Sequence, residues 1–218
     1  MIINKIVLQN FGVYHGRQTI ELTPKSDERR VILIGALNGS GKTTLLDAMQ
    51  LALFGRLGMY ASRGNSSYEE FLRQLINKAS PPHEGTSIDL HFRRAREGIE
   101  HEYHLHRSWS LSDGRLRERF DVTCDGRRDV LLAENWNEYV EELLPSRIAP
   151  LFFFDGEKIE QLADVQKAPE LLRVAVQSLL EIDIVQWLST DLAVLQRRKR
   201  AELAPEGDRA KFNASRSW

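Results

Sequence analysis

The stretch from Gly35 to Thr44, Gly-Ala-Leu-Asn-Gly-Ser-Gly-Lys-Thr-Thr, holds the chain's clearest capacity for chemistry. Gly39 and Gly41 keep side chains out of a tight loop. Successive backbone N–H groups can then turn inward and, with the start of a following helix, form a nest of positive potential for phosphate oxygens. In such a loop Leu37, Asn38, Gly39, Ser40, Gly41, Lys42, Thr43 and Thr44 bind ATP. The Lys42 ammonium bridges the β- and γ-phosphates and the Thr43 hydroxyl coordinates Mg2+. The strict pattern G-x-x-x-x-G-K-[ST] asks for glycine at position 36, where this chain has Ala36, with a glycine one place earlier at Gly35. Alanine serves there if its φ is negative.

A second segment, Leu151-Phe152-Phe153-Phe154-Asp155-Gly156-Glu157-Lys158-Ile159, places a carboxylate after four apolar residues. An aspartate at the C-terminal edge of a buried strand stands where an α/β sheet holds its ligands. Asp155 is then a metal ligand on a Walker-B-like strand with Glu157 polarising water, or part of a loop that approaches the γ-phosphate and Mg2+ from the side. The competing reading is a core strand followed by an N-capping aspartate.

These groups need a framework. Ile2 to Leu8 and Arg17 to Leu22 read as strands joined by a Gly-bounded turn, and Val31-Ile32-Leu33-Ile34 as a fully apolar strand at a sheet centre. Leu45 to Phe54 reads as an apolar helix stopped by Gly55, and Tyr68 to Ala79 as an amphipathic helix ended by Pro81-Pro82. Three strands, Ser87–Arg94, Glu100–Trp109 and Arg117–Cys124, with turns at Glu97-Gly98, Asp113-Gly114 and Asp125-Gly126, predict an antiparallel meander. Glu134 to Leu144 reads as helix, Leu151–Phe154 as a second buried strand, and about Glu170 to Leu203 as one long helix. Within it Val185, Leu188, Leu192 and Leu195 step by the seam spacing of a coiled coil over less than two heptads, which suits an amphipathic helix on its own sheet equally well. After Pro205 the sequence becomes polar and aperiodic.

Other polar groups carry weaker signals. Leu111-Ser112-Asp113-Gly114-Arg115 is similar to the transporter-type signature, but Asp-Gly between β-like residues reads as a hairpin turn. His91, His101, His104 and His106 fall in the meander, and His104 and His106 share one strand face. Without a nearby cysteine or a third spaced ligand they read as a solvated or stacked face rather than a metal site. Arg93, Arg94, Arg96 and Arg107 with Trp109 could form a basic and aromatic patch for a DNA backbone, or be simply solvated beside Glu97, Glu100 and Glu102.

Composition bounds the class. The 218 residues are 42% hydrophobic and 28% charged, which excludes collagen-like, low-complexity and wholly disordered chains. Net charge is -1, although residues 196–218 carry a local excess of seven Lys or Arg over three acids. No apolar run approaches the ~20 residues of a membrane helix, and the first residues lack the order of a signal peptide, so the expected location is the cytoplasm, without membrane. The single cysteine, Cys124, forms no internal disulfide and agrees with a reducing compartment.

Taken together, Asn10-Phe11-Gly12 after a first strand, the Leu37–Ala48 loop and helix, the meander and the final helix resemble the N-terminal half-head of SMC-like ATPases of the SbcC type. Within that group, Asn38–Ala48, Arg107-Ser108-Trp109 and especially Phe152–Ile159 are similar to the DndD family, ATPases of bacterial DNA phosphorothioation. The resemblance implies an α/β P-loop NTPase of the ABC/SMC type. Its lobe, residues 1–183, would hold a mixed sheet, an antiparallel β-meander and a long C-terminal helix starting a coiled coil at 184–204, with a frayed or truncated tail at 205–218. It puts Asp155 where the family has a glutamine that touches Mg2+ and the attacking water, so Lys42 and Asp155 become the catalytic pair; Asp keeps an oxygen acceptor but adds charge. It offers Asn10 and Phe11 for an adenine pocket. It further implies ATP and Mg2+ as cofactors, a head–head dimer, DNA and other phosphorothioation proteins as partners, and a C-terminal lobe, absent here, that carries the signature, Walker B aspartate and catalytic glutamate. Three alternatives stand beside it: a generic SMC-like double-strand-break repair ATPase, a non-hydrolysing nucleotide-binding interaction module, and a self-contained transporter-type ATPase subunit using Leu111–Arg115 and Leu151–Glu157.

Overall fold

Six antiparallel strands frame the part of the chain described by this computed structural model, residues 1–153 apart from 25, 27, 29, 59, 61, 62, 82 and 147, together with Leu192. The chain divides into two compact units, Met1–Gln161 and Leu162–Trp218, and of the described residues only Leu192, helical and exposed, lies in the second.

The strands are β1 (Ile2–Phe11), β2 (Tyr14–Glu21), β3 (Thr86–Arg96), β4 (Ile99–Ser112), β5 (Arg115–Cys124) and β6 (Arg127–Arg128), in spatial order β2-β1-β3-β4-β5-β6. The expected meander forms with longer strands than the sequence predicts. Its three turns place Glu97, Asp113 and Asp125 at φ near 50° and Gly98, Gly114 and Gly126 at φ 73–80°. Two successive left-handed residues give the turn whose twist matches that of the strands it joins. Leu111–Arg115 is therefore a hairpin tip, and the signature reading of that segment falls.

Period-two alternation sorts the two faces of the sheet. Ile6, Leu8, Ile88, Leu90, Leu105, Trp109 and Val122 are all buried, and register pairs Ile6 with Leu90, Leu90 with Leu105, and Leu105 with Val122. Helices α1 (Lys42–Phe54), α2 (Tyr68–Gln74), α4 (Trp136–Leu143) and α5 (Ala149–Phe152) add to the core, whereas α3 (Val130–Glu134) buries no residue. Two indoles fasten the helices: Trp109 Nε1 of β4 donates to the Leu72 carbonyl of α2 at 2.8 Å, and Trp136 Nε1 of α4 to the Leu53 carbonyl of α1 at 2.7 Å. Arg107, only 7% exposed, lies on this inner face, donates to Glu118 at 2.6 Å and stacks over Phe120.

That last placement corrects a sequence expectation. Arg107 and Trp109 are buried on the inner face, Arg93 is paired with Glu100 at 2.9 Å, and Arg94 lies over the Tyr139 ring. The four arginines do not make one surface, because alternate residues of a strand point to opposite faces.

Three further expectations are corrected. The sheet is antiparallel throughout the described residues rather than mixed. Val31–Ile34 is not a strand: Val31 and Leu33 are about nine-tenths exposed, and the run has no ladder partner. A central strand needs neighbours, and β1 is already hydrogen-bonded on both sides, by β2 and β3. Leu151 and Phe152 are not a strand either. Pro150 sits in the first turn of α5, a place that suits its fixed φ and missing N–H, while Phe153 packs edge-on against Phe54 at 6.4 Å. The long helix over 170–203 and its coiled-coil seam lie outside the described residues, save Leu192.

Candidate functional site

Helix α1 begins without a capping side chain. Gly41 is its N-cap, at φ 101°, and no acidic residue occupies the first turn. An α-helix leaves its first N–H groups without intrahelical partners and concentrates positive potential there. A helix so built accepts an anion in place of a cap.

Lys42 lies over the loop that leads into this helix. Its ammonium donates to the carbonyls of Ala36 at 3.1 Å and Leu37 at 2.9 Å. The Ser40 hydroxyl and amide donate to the same Leu37 carbonyl. A neutral carbonyl is a weaker acceptor than a phosphate oxygen, so these bonds hold the charge in place and are readily exchanged for stronger ones. Residues 31–40 and Lys42 are exposed, while Thr43 and Thr44 are half-buried in the first turn of α1. Leu37, Asn38, Gly39, Ser40, Gly41, Lys42, Thr43 and Thr44 are thus gathered around one helix start. Ala36 is not among the residues with positive φ, so alanine there carries no backbone strain. Asp155 lies outside the described residues.

What fixes this junction is the tip of the β1–β2 hairpin. The Tyr14 hydroxyl donates to the Gly41 carbonyl at 3.0 Å, and burial pushes the Tyr14 phenol above its ordinary range. A Cβ on Gly41 would stand 2.5 Å from Val13 Cγ2 and 3.1 Å from the Tyr14 ring. A Cβ on Gly12 would stand 2.6 Å from Thr44 Cγ2. Both glycines also hold left-handed backbone, so each is required twice over, by conformation and by contact. The hairpin tip is held from its other side by the segment after α2: Gly12 N–H donates to the Leu75 carbonyl, and Asn77 Nδ2 to the Gly12 carbonyl at 2.7 Å. An open groove of about 570 Å3 runs beside Thr44 between these pieces.

Sequence reasoning missed Val13, Tyr14 and Asn77 as positioning groups. Tyr14 and Gly41 are 27 residues apart, and no motif links them. Asn10 and Phe11, offered for an adenine pocket, have other work. Phe11 is fully buried edge-on to Trp109, and Asn10 Oδ1 accepts from the Gly16 amide, while the Asn10 carbonyl accepts from Asn77 and Thr86. Their burial leaves no face for a base to stack on.

Residues 5–206 match the family model AAA_23, described as an AAA domain. No curated protein matches the chain.

Proposed function

The chain belongs to the AAA domain family, and on that premise we propose that it is the ATP-binding lobe of an SMC-like ATPase head. The observation that carries this reading is the Lys42 ammonium resting on two loop carbonyls at the start of an uncapped helix. Phosphate oxygens take the place of the Ala36 and Leu37 carbonyls on Lys42, and the α1 N-terminus faces the same charge. Thr43 is the residue to hold Mg2+, with Asp155 as a second ligand and water-positioning group. Bound with ATP, Mg2+ neutralises charge between the phosphates. Gly41 and Tyr14 keep the loop from sliding along the helix.

Efficient turnover requires a second lobe bearing the signature motif, Walker B aspartate and catalytic glutamate, so the 218-residue chain binds ATP with little hydrolysis. The finer reading is an ATPase of DNA phosphorothioation. It acts as a head–head dimer on DNA with the other phosphorothioation proteins, and rests on the likeness of Phe152–Ile159 and Asn38–Ala48 to the DndD family.

Steady-state hydrolysis by the chain beside Lys42→Ala tests the first part. Turnover at the Lys42→Ala level is expected; turnover within a few decades of a typical enzyme's ~10 per second contradicts the two-lobe reading. Mass spectrometry of digested DNA from cells lacking the gene tests the second. Lost phosphorothioate linkages are expected, and linkages unchanged from the parent strain point to a repair ATPase instead.

A further inference from the structure

The outer face of the sheet carries a group of side chains that nucleotide binding does not use. Register sets Asp89 of β3 directly opposite His106 of β4, and His91 opposite His104. Alternation then brings Asp89, His91, His104 and His106 to one face. His104 Nε2 and His106 Nδ1 each lie 2.8 Å from the same oxygen, Asp89 Oδ1. The third ligand that the spacing of His104 and His106 lacks in sequence is supplied by the neighbouring strand.

We propose that Asp89, His104 and His106 form a binding site for a first-row transition-metal dication of the zinc class. The three ligand atoms lie within 4.8 Å of one another. Bonds of ~2.0–2.1 Å in tetrahedral geometry would set them roughly 3.3 Å apart, which the present cluster reaches by small side-chain rotations. Two imidazoles and one carboxylate are a donor set for zinc and its neighbours, whereas Mg2+ prefers oxygen ligands alone. Asp89 is 8% exposed while the two imidazoles are each about one-third exposed, so the carboxylate is anchored and the site stays open on the solvent side. That leaves a fourth position for water, while the His91 ring stacks parallel on His104 with centroids 4.2 Å apart.

Burial pushes the Asp89 carboxyl up, but the hydrogen bonds from His104 and His106 outweigh it and hold the group well below its usual range. The adjoining Asp121 is paired with Arg119 and Arg128 and offsets part of their positive charge. A metal ion competes with protons for imidazole nitrogens and carboxylate oxygens. Metal binding therefore displaces protons, and affinity rises with pH.

The test is calorimetric titration of the chelator-treated chain with Zn2+ and with Co2+, the latter followed also by its visible absorption. One equivalent bound at micromolar or tighter affinity is expected, unmoved by excess Mg2+ and weaker at low pH. Asp89→Asn, His104→Gln and His106→Gln should each weaken it by at least about 10-fold. His101→Gln, which alters the separate group of His101, Cys124 and Asp125, should leave it intact. Paramagnetic shifts of the His104 and His106 ring protons in the Co2+-loaded native chain locate the ion without any substitution. Absence of binding, or binding that survives the three variants but is lost in His101→Gln, overturns the proposal and leaves Asp89 as the centre of an ion pair.

Discussion

From Thr86 to Cys124 every strand pairs with its sequence neighbour across a two-residue turn, whereas residues 31–41 have a strand's apolar content and no ladder at all. The first alternates apolar with polar residues, and the second opens on four apolar residues in a row. The difference lies in where the partners come from. The meander carries its own: each strand finds its neighbour within a few residues, and the turns fix the register. The loop before α1 depends on groups far away in sequence, and it gets Tyr14 and Val13 rather than a strand. The sheet side of the molecule thus holds the fold, and the loop side is free to be spent on a ligand.

Substitutions on the sheet side should cost stability, and those on the loop side should cost nucleotide. The largest expected effect is at Trp136, which is 2% exposed, touches Phe92, Phe120 and Tyr139, and holds the end of α1 through Leu53. Trp136→Ala should lower unfolding free energy by about 3–5 kcal/mol in urea titration. Close behind stands Glu118→Ala. It leaves Arg107 buried without its carboxylate and removes the acceptor of the Tyr68 hydroxyl, a loss of about 3 kcal/mol by the same measurement.

Smaller in stability but decisive for ligand is Gly41→Ala. A left-handed alanine costs about 1–2 kcal/mol, and its Cβ meets Val13, so the loop must shift and Mg-ATP affinity should fall steeply. Gly39→Ala sharpens the point. Gly39 has a similar φ but open space around it, so its replacement should cost only strain.

The smallest effect concerns pH. His106 is held above its ordinary range, first by the hydrogen bond to Asp89, against the effect of burial. That contribution is fully present below the ordinary imidazole value near 6.5 and is lost as pH rises through the raised value. The Asp89 carboxyl is held low, so its share is present above the ordinary ~3.9 and lost only as pH falls through the depressed value. His91, Lys5, Asp121 and Arg119 face the same group and set its background. In chelator, the native chain should therefore exceed Asp89→Asn in stability by more at about pH 5.5 than at about pH 9, read from urea midpoints at the two values.

The same contrast decides what was legible in sequence. The meander could be read because alternation and Asp-Gly turns are local signals, and so could α1, with Gly41 before it and Gly55 after it. Two apolar runs misled, because a run of four apolar residues says only that something should be covered. Pro150 turns Leu151–Phe152 toward helix, and Val31–Ile34 finds both edges of β1 taken. The proposed phosphate loop stands in the sequence as a motif, but its supports do not, since hairpin tip and helix start meet across 27 residues. Asp89 was invisible for the same reason: its partnership with His104 and His106 is a matter of register between strands.

The most direct test is one calorimetric titration of Mg-ATP into the native chain, Lys42→Ala and Trp136→Ala, each with its thermal midpoint measured without ligand. Lys42 is exposed and, among the described residues, its ammonium bonds to its own loop, so Lys42→Ala should melt with the native chain yet fail to bind, while surviving folded Trp136→Ala should melt early yet bind. Native affinity retained by a fully folded Lys42→Ala would contradict the assignment of nucleotide binding to this loop.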